Sequence, residues 1–232
     1  MKAFKQKFYA LFFLLIPLVG SAQIDESKTG AWYMYLWNTS IGENGFGFQG
    51  DIQYRNWNAV GDLEQLLLRG GLTYSPKTSS AKFTLGYGNI QTGAYGDEKT
   101  TTSESRIYQE AMLPHHAGGR FFLTHRFRYE QRFVENQDFR TRYRYNLFLT
   151  VPLNHTIIGD KTVYLSLYNE LFINGQRSIG NGREVEVFDR NRSYLALGYA
   201  IKQQLRVQGG IMRQITDNWG KTQMQLSLHH KF

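Results

Sequence analysis

Two neighbouring segments place a dense set of arginines on one alternating parity. Arg126, Arg128, Glu130 and Arg132 recur at every second residue, and beyond Asn136 so do Arg140, Arg142 and Arg144. Residues two apart on a strand share a face, so a hairpin turning at Asn136 sets Glu130 opposite Arg142 and Arg132 opposite Arg140. Like charges directly opposed across a strand pair are destabilising unless something compensates them. Two chemistries supply that compensation: carboxylates of the protein itself, or an anionic ligand. Arginine keeps its charge and grips carboxylate or phosphate through two N–H groups at once, so it suits a salt-bridge network and an anion path equally. The same parity gathers Arg55, Arg69, Lys82, Arg106, Arg190, Arg192 and Arg206 from other segments, against Asp51, Glu104, Glu110, Glu130 and Glu170. That makes 13 basic groups against 5 acidic ones.

Strands must carry these side chains. The clearest alternation runs from Phe46 to Arg55, with Phe46, Phe48, Ile52 and Tyr54 on one face and Gln49, Asp51, Gln53 and Arg55 on the other. The same pattern predicts strands near 31–39, 45–57, 63–75, 81–91, 103–112, 119–133, 138–151, 161–173, 187–201, 204–215 and 222–232. Many exceed the five or six residues usual in globular sheets, and a tilted membrane strand needs roughly 9–11. No segment sustains the i, i+3, i+4, i+7 apolar spacing of a helix. The expectation is an all-β, transmembrane, antiparallel up-and-down β-barrel of 10–12 strands. Twelve is slightly favoured, because single-chain bacterial barrels have even strand numbers. Long connections near 92–102 and 174–186 fall on the same side, whereas the segment near 31–39 has the wrong parity for an even barrel. Trp32, Trp37, Trp57 and Trp219 lie near predicted strand ends, where interface aromatics belong.

The N-terminus reads as a signal peptide over residues 1–22. Lys2, Lys5 and Lys7 form its basic part, Phe8 to Gly20 its apolar part, and Gly20-Ser21-Ala22 its cleavage site. Residues 23–232 then form a single barrel domain. Without those three lysines the formal charge falls from +8 to +5, with 24 basic against 19 acidic residues. A mean hydropathy of −0.45 with 15% aromatic residues fits a barrel, whose strands are polar on one face and whose rims are rich in Tyr and Trp. The chain has no Cys, so no disulfide, thiolate-bound metal or thioether-linked lipid can form. The last seven residues, Leu226 to Phe232, alternate and finish on an aromatic side chain. This reads as a signal to the barrel-assembly machinery, and it predicts residence in a Gram-negative outer membrane with lipid as the surrounding partner.

A succession of short motifs resembles a known family. Leu68-Arg69-Gly70-Gly71-Leu72-Thr73-Tyr74 is followed by Leu85-Gly86-Tyr87-Gly88, and then by Arg126 to Phe133. Phe139 to Tyr145, Tyr168 to Phe172, Phe188 to Arg192 and Leu197-Gly198-Tyr199 come after them. In this order they resemble the domain-of-unknown-function 2490 family of Gram-negative outer-membrane β-barrel proteins, across nearly the whole chain after residue 22. The resemblance implies a barrel in the outer membrane and no established activity, cofactor or catalytic residue.

Three functional readings remain open on the residues alone. In the first, a passive pore, Arg126, Arg128, Arg132, Arg140, Arg142, Arg144, Arg190 and Arg192 line a path for a small anionic solute while Glu130 and Glu170 fix their rotamers. In the second, a closed structural or adhesive barrel meets a partner through its long outer loops. The third is a lipid-modifying enzyme, but His115-His116 in a turn, His125 on the outward parity and His229-His230 at a strand end show no triad spacing. Adjacent histidines without a third ligand also make a poor metal site, and no cofactor is expected. Because the stretch 126–144 alternates with Phe and Tyr, it does not read as a nucleic-acid surface.

Overall fold

Period-two patterning sets both the elements and their two faces. The computed structural model describes residues 24–232; the expected signal segment, 1–22, lies outside the described residues. Eleven strands follow one another: β1 (Gly30–Ile41), β2 (Phe46–Asn56), β3 (Leu63–Tyr74), β4 (Lys82–Gly93), β5 (Thr101–His116) and β6 (Phe122–Val134). They continue as β7 (Arg140–Pro152), β8 (Thr162–Asn174), β9 (Phe188–Lys202), β10 (Leu205–Ile215) and β11 (Gly220–Lys231). Each pairs with the next in chain order, and the sheet closes on itself.

Consecutive strands are antiparallel, but the closing pair is not. β1 and β11 run parallel, with Tyr33 beside Leu226 and Trp37 beside His230. The count falls within the expected 10–12 strands, but the parallel seam corrects the favoured twelve and the wholly antiparallel order. In an up-and-down chain an odd count leaves the first and last strands pointing the same way, so closure requires a parallel seam. The misfit of the segment near 31–39 has the same origin, since β1 starts at the end of the barrel opposite to the one where β11 stops. The connections 57–62, 94–100, 135–139, 175–187 and 216–219 lie at the end where β1 starts, hereafter the N-terminal end. The connections 42–45, 75–81, 117–121, 153–161 and 203–204 lie at the other, C-terminal end. The two long connections expected to share a side do so.

On β2, Phe46, Phe48, Ile52 and Tyr54 stand on the outer surface while Gln53 and Arg55 are buried inside, as the alternation requires. Asn136 turns β6 into β7 with φ 56°, a left-handed conformation that Asn tolerates. The connection 175–187 folds down over that turn. Asp138 donates its backbone N–H to Ile179 and Gly175 donates to Thr141, while Gln176 Oε1 accepts from Thr141 at 2.6 Å. Inside, aromatic rings lie flat over glycines on the neighbouring strand. Tyr108 covers its ladder partner Gly86, and Tyr164 covers Gly198.

The placements of two tryptophans and of one histidine pair differ from the sequence reading. Trp32 and Trp57 are buried. Nearness to a strand end does not override parity: Trp32 falls on the inward face of β1, whereas Trp37, five residues on, falls on the outer face and covers its ladder partner Gly50. His115 and His116 belong to the last residues of β5 rather than to a turn, where His116 stacks on Phe122 at 4.6 Å. His125 is outward as expected and hydrogen-bonds Tyr145 Oη at 2.9 Å.

Candidate functional site

The β6–β7 hairpin carries the densest chemistry, in the register its sequence prescribes: Glu130 faces Arg142, Arg132 faces Arg140, and Arg128 faces Arg144. All of these side chains point into the barrel and are buried. Glu130 accepts from Arg142 Nη2 at 2.7 Å and from Arg144 Nη1 at 2.6 Å. Glu170, from β8, bridges Arg126 at 2.7 Å and Arg144 Nε at 2.9 Å. From β5, Glu110 accepts from Arg128 Nε at 2.7 Å, and Glu104 from Arg132 Nε and its own neighbour Arg106 Nε, each at 2.6 Å. The opposed arginines are therefore separated by carboxylates arriving from both flanking strands. Carboxylates of the protein supply the compensation for Arg126, Arg128, Arg132, Arg142 and Arg144.

Aromatic faces hold Arg55 and Arg192, which no carboxylate pairs among the described residues, and share three guanidiniums that carboxylates also hold. Phe172, 1% exposed, is the centre of a ring of guanidiniums: Arg144 at 4.4 Å, Arg192 at 4.8 Å, Arg142 at 5.2 Å and Arg190 at 5.9 Å. Trp32 takes Arg55 at 3.8 Å and Arg192 at 4.8 Å over its ring. A ring face attracts a guanidinium most strongly where water is excluded. Arg192 also donates to Gln214 at 2.6 Å, and Arg55 to Gln65 at 2.8 Å. Beside them Trp32, Tyr194, Ala196 and Met212 form an apolar cluster within the barrel. Among the described residues Arg140, Arg192 and Arg206 have no carboxylate within salt-bridge distance.

Two interior acids escape the sequence reading. Asp189 pairs with Arg142 at 2.7 Å and with its neighbour Arg190 at 3.1 Å. Strict alternation puts Asp189 outside if Arg190 is inside, but the β8–β9 register shifts between Phe172 and Ile173, and such an irregularity re-aims side chains. Glu64 accepts from Trp32 Nε1 at 2.9 Å and Gln223 at 3.1 Å. It follows a similar shift between Arg55 and Asn56. Periodicity carries no sign of either bulge. Among the described residues no three His, Asp or Glu side chains converge as a metal site.

The C-terminal half of the interior holds a cavity of about 400 Å³. Trp32, Arg55, Arg128, Arg144, Glu170 and Arg192 form its floor. Lys82, Met112, Thr150, Arg206 and His229 line it toward the C-terminal end. Toward the N-terminal end the space is taken by Gln214, Lys221, Gln223 and Ile90, which retain no accessible surface.

A closed eleven-stranded barrel with a charged, ion-paired interior and an apolar outer surface defines the class of protein. Within it, the model of the family described as "Protein of unknown function (DUF2490)" matches residues 29–225, and the chain belongs to that family. No curated protein matches the chain. No solved structure matches it either.

Proposed function

We propose that the chain is a non-catalytic, integral β-barrel of a Gram-negative outer membrane, with its strands in lipid and its lumen closed. In this reading the C-terminal end faces the periplasm, and the connections 94–100 and 175–187 face outward, where a partner would meet them. The outer surface supports the membrane setting. Phe48, Leu85, Phe127, Leu195 and Leu226 lie on strands spread around the circumference and are 44–58% exposed. A belt of that extent far exceeds the few hundred Å² of contiguous apolar surface usual on a soluble monomer. A closed barrel also leaves no backbone hydrogen-bonding edge, which is the condition for strands to enter hydrocarbon.

One observation carries the closed lumen. Side chains lining a hydrated channel keep accessible surface, yet Glu130 and Phe172 are 1% exposed, and Gln214 and Gln223 are fully covered. An ion-pair network of this kind fills and stiffens a barrel too narrow to stay empty. The test is conductance of the refolded barrel in a planar bilayer under a salt gradient. A folded but silent barrel is expected. A stable conductance with an anion-selective reversal potential would replace this reading by the second one, a passive pore for small anions, which the surplus of interior arginine favours.

A further inference from the structure

We propose that the cavity in the C-terminal half of the barrel is a binding site for a small organic anion with an aromatic or short aliphatic body. The charge of its lining comes first. Eight Arg and Lys side chains surround the space, against the three carboxylates Asp51, Glu110 and Glu170. Those carboxylates are already engaged: Asp51 with Arg69 at 2.9 Å, Glu110 with Arg128 and Glu170 with Arg144, both at 2.5 Å. The cationic surplus is therefore not met by the wall itself.

Unused hydrogen-bonding groups are the second observation. Arg128 Nη1 and Arg126 Nε make no hydrogen bond among the described residues, and their nearest carboxylates, Glu130 and Glu110, stand off at 3.9 and 3.8 Å. Arg206 lines the far wall from β10 and makes no ion pair among the described residues. Among the described residues Arg206 has neither a carboxylate nor a ring for its guanidinium, so it is the lining cation left for an acceptor that enters from outside. Its planar N–H groups match a phosphate or carboxylate.

The apolar part of the lining narrows the class. Met34, Met112 and Phe148 share the cavity with those cations. A volume of about 400 Å³ falls within the range of small-molecule sites, which combine mostly apolar walls with a few placed polar groups. An inorganic ion would leave these walls in water, and a neutral apolar molecule would leave the cationic surplus unmet. An organic anion meets both conditions.

The test is isothermal titration calorimetry of the barrel refolded in non-ionic detergent, with protein-free micelles as the blank. The probes are 1-naphthyl phosphate, 1-naphthol and inorganic phosphate. Binding of 1-naphthyl phosphate is expected to be at least tenfold tighter than that of either comparator. It is expected to weaken about tenfold in the double variant Lys82→Gln/Arg206→Gln. Arg206 has no partner to lose, and folding of the variant is checked by the heat-dependent shift in its electrophoretic mobility. Absent binding, equal binding of 1-naphthol or of phosphate, or an unchanged affinity in the folded variant would each overturn the proposal. The measurement is made in detergent, so it is independent of where the barrel resides, and conductance reports separately on the closed lumen.

Discussion

Glu130 stands directly across the β6–β7 ladder from Arg142, and the same carboxylate holds Arg144 two residues further along. One buried acid thus keeps two stacked guanidiniums apart, with a third, Arg128, 3.9 Å from its other side. Removing one partner of a buried ion pair costs about 3–5 kcal/mol, because the remaining charges are left uncompensated. Glu130→Gln is expected at the lower end, about 3 kcal/mol, since Asp189 still holds Arg142 and Glu170 still holds Arg144. Urea unfolding of the refolded barrel measures it. The exposed pair between Arg177 and Glu184 is the control, and Arg177→Gln should shift stability by less than about 1 kcal/mol.

The register of that hairpin is readable because it needs two local facts only, a period of two and a turn at Asn136. The ten residues Arg126, Arg128, Glu130, Arg132, Arg140, Arg142, Arg144, Glu170, Arg190 and Arg192 all reach the interior for the same reason. Asp189 and Glu64 do not follow from the pattern, because a bulge shifts parity by one residue without marking the sequence. Nor does parity reveal which cations meet carboxylates and which meet rings. Arg192 rests on Trp32 from β1, at the other end of the chain, and such a partner is fixed only by closure. The odd strand count was hidden for a related reason, since alternation is blind to strand direction and the parallel β1–β11 seam joins the two termini of the sheet.

Leu195 lies midway along β9 and is 56% exposed on the outer surface. If the belt sits in lipid, Leu195→Arg should destabilise the barrel by about 2–4 kcal/mol, the cost of arginine near the bilayer midplane. On a water-facing surface the same change stays within about 0.5 kcal/mol. Equilibrium unfolding in lipid vesicles separates the two, and a neutral result there would count against membrane residence.

Gly198 and Gly209 occupy opposite faces of adjacent strands, and they should respond oppositely to alanine. A Cβ at Gly198 runs into the Tyr164 ring that covers it, so Gly198→Ala forces the ring off the wall at about 1–3 kcal/mol. At Gly209 the added Cβ meets only Leu226 Cδ1 at 3.9 Å. Gly209→Ala should therefore stabilise by about 0.4–1 kcal/mol through the unfolded chain. Thermal unfolding of the two variants in one detergent gives the comparison.

The parallel seam makes the last prediction, because it is the feature that an even barrel could not contain. Tyr33 and Leu226 are in register across β1 and β11, and Tyr33 is equally in register with Tyr54 across β1 and β2. Paired residues on adjacent strands come near enough for a disulfide to form with little backbone movement. The chain has no cysteine of its own, so any cross-link reports the engineered pair. Oxidised Tyr33→Cys/Leu226→Cys should link nearly end to end, giving a looped chain that migrates faster than its reduced form in denaturing gels. Tyr33→Cys/Tyr54→Cys calibrates the oxidation efficiency for an ordinary hairpin neighbour. If the hairpin pair links while the seam pair stays reduced in a folded barrel, β1 does not close on β11. A further strand would then have to stand between them, restoring the even count.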